Sequence, residues 1–232
     1  MNRRILVAGL AAASLALAGC SSTVAGVAAP DSSAALVGTT APIEAPLSSM
    51  LLTPADFPAP YEAIVLPAQA VSQAAGDLSG FPAGAKVDPA GCKPPSQDYG
   101  ENGTAMIVGT DNAQRATISV ELMRTATPLS VRAQEIGRCS EVVTTKNGAQ
   151  ATVKTTVVPA PPLNADDTLA LRQTVTSGEG AETVTQSTLT LLAQVRDVRV
   201  SATYMSFGTG APDSAALDQV FTEAVQRVNA AA

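Results

Sequence analysis

The chain has 232 residues, of which 20 are acidic and 14 basic, and it contains three cysteines but no histidine and no tryptophan. The missing histidine removes the usual base for a Ser or Cys nucleophile and the commonest zinc ligand. An acidic balance without a basic cluster argues against nucleic-acid binding, which depends on neutralising phosphates. We therefore expect neither a metal site nor a nucleic-acid partner.

Residues 1–19 have the pattern of an export signal. Arg3 and Arg4 precede an apolar segment, Ile5 to Ala18, that is shorter than the roughly 20 residues of a membrane span. The residues Leu17-Ala18-Gly19 before Cys20 resemble the lipobox of bacterial lipoproteins. The resemblance implies that Cys20 becomes the first mature residue and carries a thioether-linked diacylglycerol and usually an acylated amino group. The alternative is an ordinary cleaved signal with an incidental cysteine.

Lipidation at Cys20 predicts a protein anchored to the extracytoplasmic face of the cell membrane. Two or three acyl chains, at about 0.8 kcal/mol per buried methylene, give stable anchoring where one chain is marginal. Removing Arg3 and Arg4 with the signal leaves 12 basic and 20 acidic residues, a net charge of −8. Because this charge repels anionic headgroups, we expect the lipid alone to hold the protein at the membrane.

The segment 20–46 is predicted to be the lipidated cysteine followed by a flexible tether. Ser, Thr, Ala, Gly, Val and Pro dominate it, and Asp31 and Glu44 are its charged residues. A flexible chain of this length reaches roughly 25 to 30 Å on average. Its Ser/Thr/Pro content is also typical of O-glycosylated segments. Residues 47–232 then form one globular domain without internal repeats.

Cys92 and Cys139 remain as a pair once Cys20 is lipidated. An even number of cysteines in an oxidising compartment predicts a disulfide, here between the loop DPAGCKPP and a helix. The alternatives are two free thiols or a metal pair, and the second lacks a histidine or a third soft ligand.

The first elements of the domain are predicted from turn signals and alternation. LLTPADFP around Pro54 indicates a short capped helical turn, and residues 65–76 fit either a strand or a helix. Residues 116–122 alternate strictly between apolar and polar side chains, which is typical of a strand buried on one side. Residues 105–109 form a hairpin with it across Asp111-Asn112.

The second half of the domain is predicted to be a helix, four strands and a final helix. Thr127 as cap and Pro128 as first residue begin a helix with Leu129, Ala133, Ile136 and Cys139 along one side. Strands follow at 151–158, 169–176, 183–192 and 198–204, and short connections favour antiparallel pairing. A C-terminal amphipathic helix has Pro212 in its first turn. The fold class is α+β, a single domain with a mainly antiparallel sheet, helices on one face and one disulfide.

Together these features resemble a mycobacterial lipoprotein family whose domain has no assigned function. The features are the lipobox, the Ala/Ser/Thr tether, the LLTPADFP opening, the Gly-Cys-Lys-Pro-Pro loop and a cysteine late in a helix. That family is similar in layout to the extracellular sensor domains of PknH-type Ser/Thr kinases. The resemblance implies an α+β domain with a cleft proposed to hold an unknown ligand.

Catalytic motifs are missing, so we expect a protein that is not an enzyme and holds no cofactor. The sequence has neither Ser-x-x-Lys nor Gly-x-Ser-x-Gly, and the pair Asp166-Asp167 is typical of a solvated loop. The first hypothesis is a binding or sensory lipoprotein that holds an apolar or amphipathic ligand, such as a lipid, between the sheet and the helices. On that apolar face, Val120, Val200 and Tyr204 are either core or ligand contacts.

The second hypothesis is a protein-interaction module that docks to another envelope protein without a small-molecule ligand. The polar strand face with Glu121, Asp197 and Arg199 is the predicted surface for such a partner, although a face of this kind is usually just solvated.

Overall fold

The computed structural model describes residues 41–178, 180–208 and 210–232. The export signal, the predicted lipid site Cys20 and the tether up to residue 40 lie outside the described residues. Within them, no helix has the length and apolar character needed to cross a membrane.

All the described strands belong to one antiparallel sheet. The strands are β1 (Glu62–Val65), β2 (Lys86–Asp88), β3 (Thr104–Asp111), β4 (Ala116–Arg124), β5 (Glu141–Lys146), β6 (Ala149–Val158), β7 (Asp167–Ser177), β8 (Val184–Val195) and β9 (Val198–Phe207). Their order across the sheet is β1-β3-β4-β9-β8-β7-β6-β5-β2. The helices are α1 (Leu47–Met50), α2 (Ala68–Ser79), α3 (Leu129–Arg138) and α4 (Ser214–Ala230). The predicted class, α+β with a mainly antiparallel sheet, is confirmed.

Tight hairpins explain the antiparallel order. The predicted β3–β4 hairpin is present with Ile107 opposite Val120, and β7, β8 and β9 follow one another as neighbours. The β5–β6 hairpin was not predicted. Its turn, Asn147-Gly148, has φ values of 52° and 85°, and Asn-Gly is the pair that such a left-handed turn favours. This dipeptide was the overlooked signal for β5.

The helices cover both faces of the sheet, and the prediction that they lie on one face is wrong. Leu191 belongs to the cluster under α1 and α4, whereas the next residue, Leu192, packs with Leu129 and Ile136 of α3. Successive side chains of a strand point to opposite faces, so α3 lies opposite α4. Met106 packs with α2 in the same way, while Ile107 belongs to the α4 side. Strands with adjacent apolar residues are typical of a sheet covered on both faces.

The face under α4 is the main core of the domain. Val120 and Val200 are fully buried there, Tyr204 is 7% exposed, and Phe221 of α4 is fully buried in the same cluster. These positions are therefore packing residues, and the face is filled by the protein itself. Ile43 is also buried in this cluster, so the packed part of the chain begins four residues before the predicted boundary at Leu47.

Two predicted helix starts need correction. The backbone N–H of Ala216 donates to Asp213 Oδ1 at 3.1 Å, so Asp213 is the cap of α4 and Pro212 precedes the helix. A carboxylate at the cap position accepts a hydrogen bond from a free backbone N–H of the first turn, which the side chain of proline cannot do. Pro128 occupies the cap position of α3, with no capping side chain, and Thr127 lies before it. Cys139 follows the last residue of α3 directly.

Replacing Gly109 of β3 by alanine is expected to lower the free energy of unfolding by about 1 to 3 kcal/mol. A Cβ at this position would lie 2.5 Å from Phe57 Cδ1 and 3.2 Å from Tyr61 Cβ, so the aromatic side chains would have to move. Gly137→Ala in α3 is the matched control, because its Cβ meets no atom within 4 Å and alanine favours helix. Urea unfolding checks both, and two variants of equal stability would contradict this explanation.

Candidate functional site

A small cleft lies on the face of the sheet covered by α2 and α3. It has a volume of about 100 Å³. Its lining comes from α3 and the residue after it, the segments that follow α2 and β2, and strands β5 to β7, namely Phe81, Gly91, Cys92, Lys93, Pro94, Arg132, Glu135, Ile136, Arg138, Cys139, Val142, Thr155 and Gln173. The apolar lining residues Ile136 and Val142 are buried, whereas the charged lining residues are partly or fully exposed.

The disulfide between Cys92 and Cys139 forms one wall of this cleft. The bond joins the 3₁₀ turn Ala90–Cys92 to the residue that follows α3. The predicted pairing is therefore present, and it holds the segment that begins at Lys93 against the end of the helix. The bridge closes a loop with a sequence separation of 47, for which chain entropy predicts roughly 3 to 4 kcal/mol of stabilisation.

Charged side chains concentrate at the cleft. Lys93, Arg132 and Arg138 contribute positive charge, and Glu135 contributes a carboxylate. Glu135 Oε2 lies 3.5 Å from Arg132 Nη1, one helical turn earlier, and both side chains are one-third exposed. A pair with this geometry and exposure is weak, so the guanidinium retains hydrogen-bonding capacity towards the cleft.

A cluster of polar and charged side chains lies on the same face of the sheet as the cleft, nearer the centre of the sheet. Gln97 Nε2 donates hydrogen bonds to Glu121 Oε1 and, at 3.1 Å, to Thr104 Oγ1. Arg199, which is 7% exposed, donates through Nε to Gln194 Oε1 at 3.3 Å and through Nη2 to the Thr127 carbonyl. The segment after β2 thus supplies a partner for Glu121, and β8 and the segment before α3 supply partners for Arg199.

Burial changes the titration of this group. Desolvation raises the pKa of Glu121, and the Gln97 hydrogen bond and the Arg199 charge oppose the increase. Desolvation also raises the pKa of Tyr99, with a smaller contribution from Glu121, so the two side chains are close. The pKa of Arg199 is lowered, first by desolvation and then by the neighbouring Arg132. Arg132, which lines the cleft, is therefore close enough to Arg199 for the two charges to repel each other.

The predicted docking surface is not formed. Arg199 is buried and Glu121 is partly buried under segment 93–103. Asp197 lies in the β8–β9 turn, where Oδ2 is 2.6 Å from Arg124 Nη1 and Oδ1 accepts a hydrogen bond from the backbone of Ile43 at 2.8 Å. Asp197 comes directly before β9, and Arg199 is the second residue of that strand. The three side chains therefore have structural partners and do not form one exposed face.

A second groove lies between α4 and the segment with Leu163 and Asn164, with a volume of about 490 Å³. It is wide open, and its lining residues are Leu163, Asn164, Thr222, Val225, Gln226, Asn229 and Ala230. None of these side chains is charged, so the groove offers no fixed charge to orient a ligand. Among the residues that the structure describes, no three His, Cys, Asp or Glu side chains converge to hold a metal ion.

The ligand cleft was predicted between the apolar face of the sheet and the helices, not beside the disulfide, although the signal for this location was present. Lys93 follows Cys92 directly, and Arg138 precedes Cys139 directly. A disulfide between the two cysteines necessarily brings these two cations near each other. Arg132 and Glu135 lie about two turns and one turn before Cys139 on α3, which adds them to the same region.

Glu121→Gln is expected to remove a pH-dependent loss of stability. Because burial raises the pKa of Glu121 in the folded state, the folded protein binds more protons than the unfolded chain just above pH 4.5. This contribution to stability is present at low pH and is lost as the pH rises through the folded pKa. Urea unfolding should show a larger gain for the variant at pH 7 than at pH 4. The same gain at both pH values would contradict the assignment, and Glu101→Gln, at an exposed turn, is the control.

Two mycobacterial chains are among the solved structures that match this chain. An uncharacterised protein from Mycobacterium smegmatis, the Rv0999 ortholog, is 19% identical with a TM-score of 0.43, over 72% of this chain and 86% of that chain. The extracellular domain of PknH from Mycobacterium tuberculosis is 17% identical with a TM-score of 0.43, over 63% of this chain and 78% of that chain. No protein-family model and no curated protein matches the sequence. The two structures are of the kinds that the sequence motifs resemble, an uncharacterised mycobacterial protein and a PknH extracellular domain.

Proposed function

We propose that the chain is a lipid-anchored, extracytoplasmic domain that binds a small ligand in the cleft beside the disulfide and is not an enzyme. The observation that carries this proposal is the cleft itself, a concave site with converging polar groups held by a covalent bridge. A rigid wall favours binding because less conformational entropy is lost when the ligand is bound.

The proposed location rests on the cysteines. A disulfide is typical of an oxidising compartment outside the cytoplasm. The residues before Cys20 resemble a lipobox, which supports anchoring through Cys20 after removal of residues 1–19. In this proposal the tether carries the domain on the extracytoplasmic side of the membrane, with the lipid as its anchor.

The ligand site differs from the one that the sequence suggested. An apolar ligand between the sheet and the helices would have to displace α4, since Val120 and Val200 are fully buried by it. The cleft on the other face is small and partly charged, which favours a polar ligand or the polar end of an amphipathic one. The alternative function, docking to an envelope protein, needs no cleft and is distinguished by experiment.

Native mass spectrometry of the full-length lipoprotein, extracted from its own envelope, tests the binding function. Gly91 lines the cleft, and a Cβ there meets no atom within 4 Å, so Gly91→Phe adds a large side chain at the cleft without a backbone clash. We expect a non-covalent small-molecule adduct on the wild type that is absent from this variant. Gly210→Phe is the control, because Gly210 is exposed, has equal space and lies outside the cleft. An adduct that persists in Gly91→Phe, or no adduct at all, would contradict the proposal.

A further inference from the structure

The charge of the cleft is opposite to that of the domain around it. Residues 41–232 contain 12 basic and 19 acidic residues, because Arg3, Arg4 and Asp31 lie before them. In the cleft, by contrast, three cationic side chains face one carboxylate. A concave site lined by one sign of charge concentrates ions of the opposite sign. The local field therefore selects anions, although the protein as a whole repels them.

Arg132 is the cation best placed to contact a ligand. Its described ion pair, with Glu135, has a separation of 3.5 Å, longer than the 2.7 to 2.9 Å typical of a charge-assisted hydrogen bond. The positive charge of Arg132 also lowers the pKa of the buried Arg199, so the two guanidinium groups repel each other. An anion in the cleft would relieve this repulsion and complete the hydrogen bonding of Arg132.

The size and the walls of the cleft restrict the ligand further. A volume of about 100 Å³ suits a carboxylate or phosphate group but is too small for a whole drug-sized molecule. Ile136 and Val142 are buried apolar residues of its lining, and Phe81 is a third apolar residue there. These surfaces can accept a short apolar portion next to the anionic group.

We propose that the cleft beside the disulfide binds the carboxylate or phosphate group of a ligand, with Arg132 as the main contact and Lys93 and Arg138 at the rim. This inference rests on the proposed function and specifies the ligand class for the same site. When no ligand is bound, the Glu135 carboxylate pairs with the Arg132 guanidinium. Glu135 therefore competes with the ligand for this guanidinium.

Titration of the non-lipidated mature chain, beginning at Ser21, with inorganic phosphate and with acetate at low ionic strength tests the assignment. Amide NMR shifts report binding at α3, and we expect Arg132→Gln to weaken the affinity about 10-fold, the usual effect of one charged hydrogen bond. Glu135→Gln should strengthen binding, which a merely misfolded variant cannot do. Arg172→Gln is the control, because Arg172 is exposed and lies on the opposite face of β7 from Leu171.

Two sources of the anionic group are separated by adding vesicles. Binding to phosphatidylcholine vesicles that contain phosphatidylglycerol, lost in Arg132→Gln, would identify a lipid headgroup; binding of free phosphate or acetate alone would identify a soluble ligand. Absence of binding in both arms, or equal affinities for wild type and Arg132→Gln, would overturn the proposal. A neutral or cationic adduct in the native spectra that Gly91→Phe removes would overturn the anion assignment while leaving the proposed binding function in place.

Discussion

Cys92→Ala should lower the free energy of unfolding by about 2 to 5 kcal/mol, the usual effect of removing a native bridge from a secreted domain. The bridge restricts the unfolded chain over a separation of 47 residues, and in the folded state it fixes segment 93–103 against α3. Urea unfolding of the oxidised proteins measures the loss. Anchoring to the membrane should be unaffected, since Cys20 is intact in this variant.

The double variant Cys92→Ala/Cys139→Ala is the control for this prediction. Each single variant leaves one free thiol, whereas the double variant removes the same bridge without one. All three variants should therefore have similar unfolding free energies. Thiol labelling of the mature wild type without reductant should find no free cysteine, and one readily labelled thiol at Cys92 or Cys139 would contradict the pairing.

Cys20→Ala should abolish membrane retention and leave the folded domain unchanged. If Cys20 is the lipid site, the variant lacks the acyl chains that provide about 0.8 kcal/mol per buried methylene, and no other feature is expected to hold an acidic protein at the membrane. Detergent phase partitioning measures the change, and wild type and variant should separate completely. The variant is expected to be unprocessed or released.

Thermal unfolding is the control for the Cys20 variant. The packed domain begins near Ile43, so a substitution at Cys20 should leave its melting temperature unchanged. Undiminished partition of Cys20→Ala into detergent would show that another feature anchors the protein. An altered melting temperature would show that the N-terminal segment contributes to the folded domain.

Strands with strict alternation of apolar and polar residues were predictable because burial of one face determines their sequence pattern. In β4 and β9 every second residue is buried under α4, so periodicity in the sequence reports the structure directly. The strands missed were β1, β2 and β5, of which β1 and β2 are short edge strands of four and three residues. Their pairing depends on long-range partners, which local alternation does not encode.

The arrangement of helices on two faces was not predictable from periodicity alone. Leu191 and Leu192 are both apolar, and only packing shows that one contacts α4 while the other contacts α3. The same arrangement hides Arg199, whose charge suggests an exposed position but whose guanidinium contacts Gln194 and Thr127. A polar residue in a strand thus indicates a solvent-exposed face of the sheet only when no helix covers that face.

The position of the candidate site was easier to predict from the sequence than the chemistry of its ligand. The pairing of Cys92 with Cys139, predicted from the sequence, places a loop against the end of a helix. The cleft between them depends on the approach of Phe81 and of β5 to β7, which are distant in sequence. Tertiary packing therefore determines the ligand chemistry, while the cysteines determine where to look for it.

In-cell photo-crosslinking from position 91 tests the central claim of a ligand cleft beside the disulfide most directly. A photoreactive side chain at Gly91 would extend from a residue that lines the cleft, and one at Gly210 serves as the control outside it. We predict that position 91, but not position 210, acquires a small-molecule mass increase on irradiation of intact cells. Capture of an envelope protein at position 91, or the same products at both positions, would contradict the ligand cleft and favour a docking function.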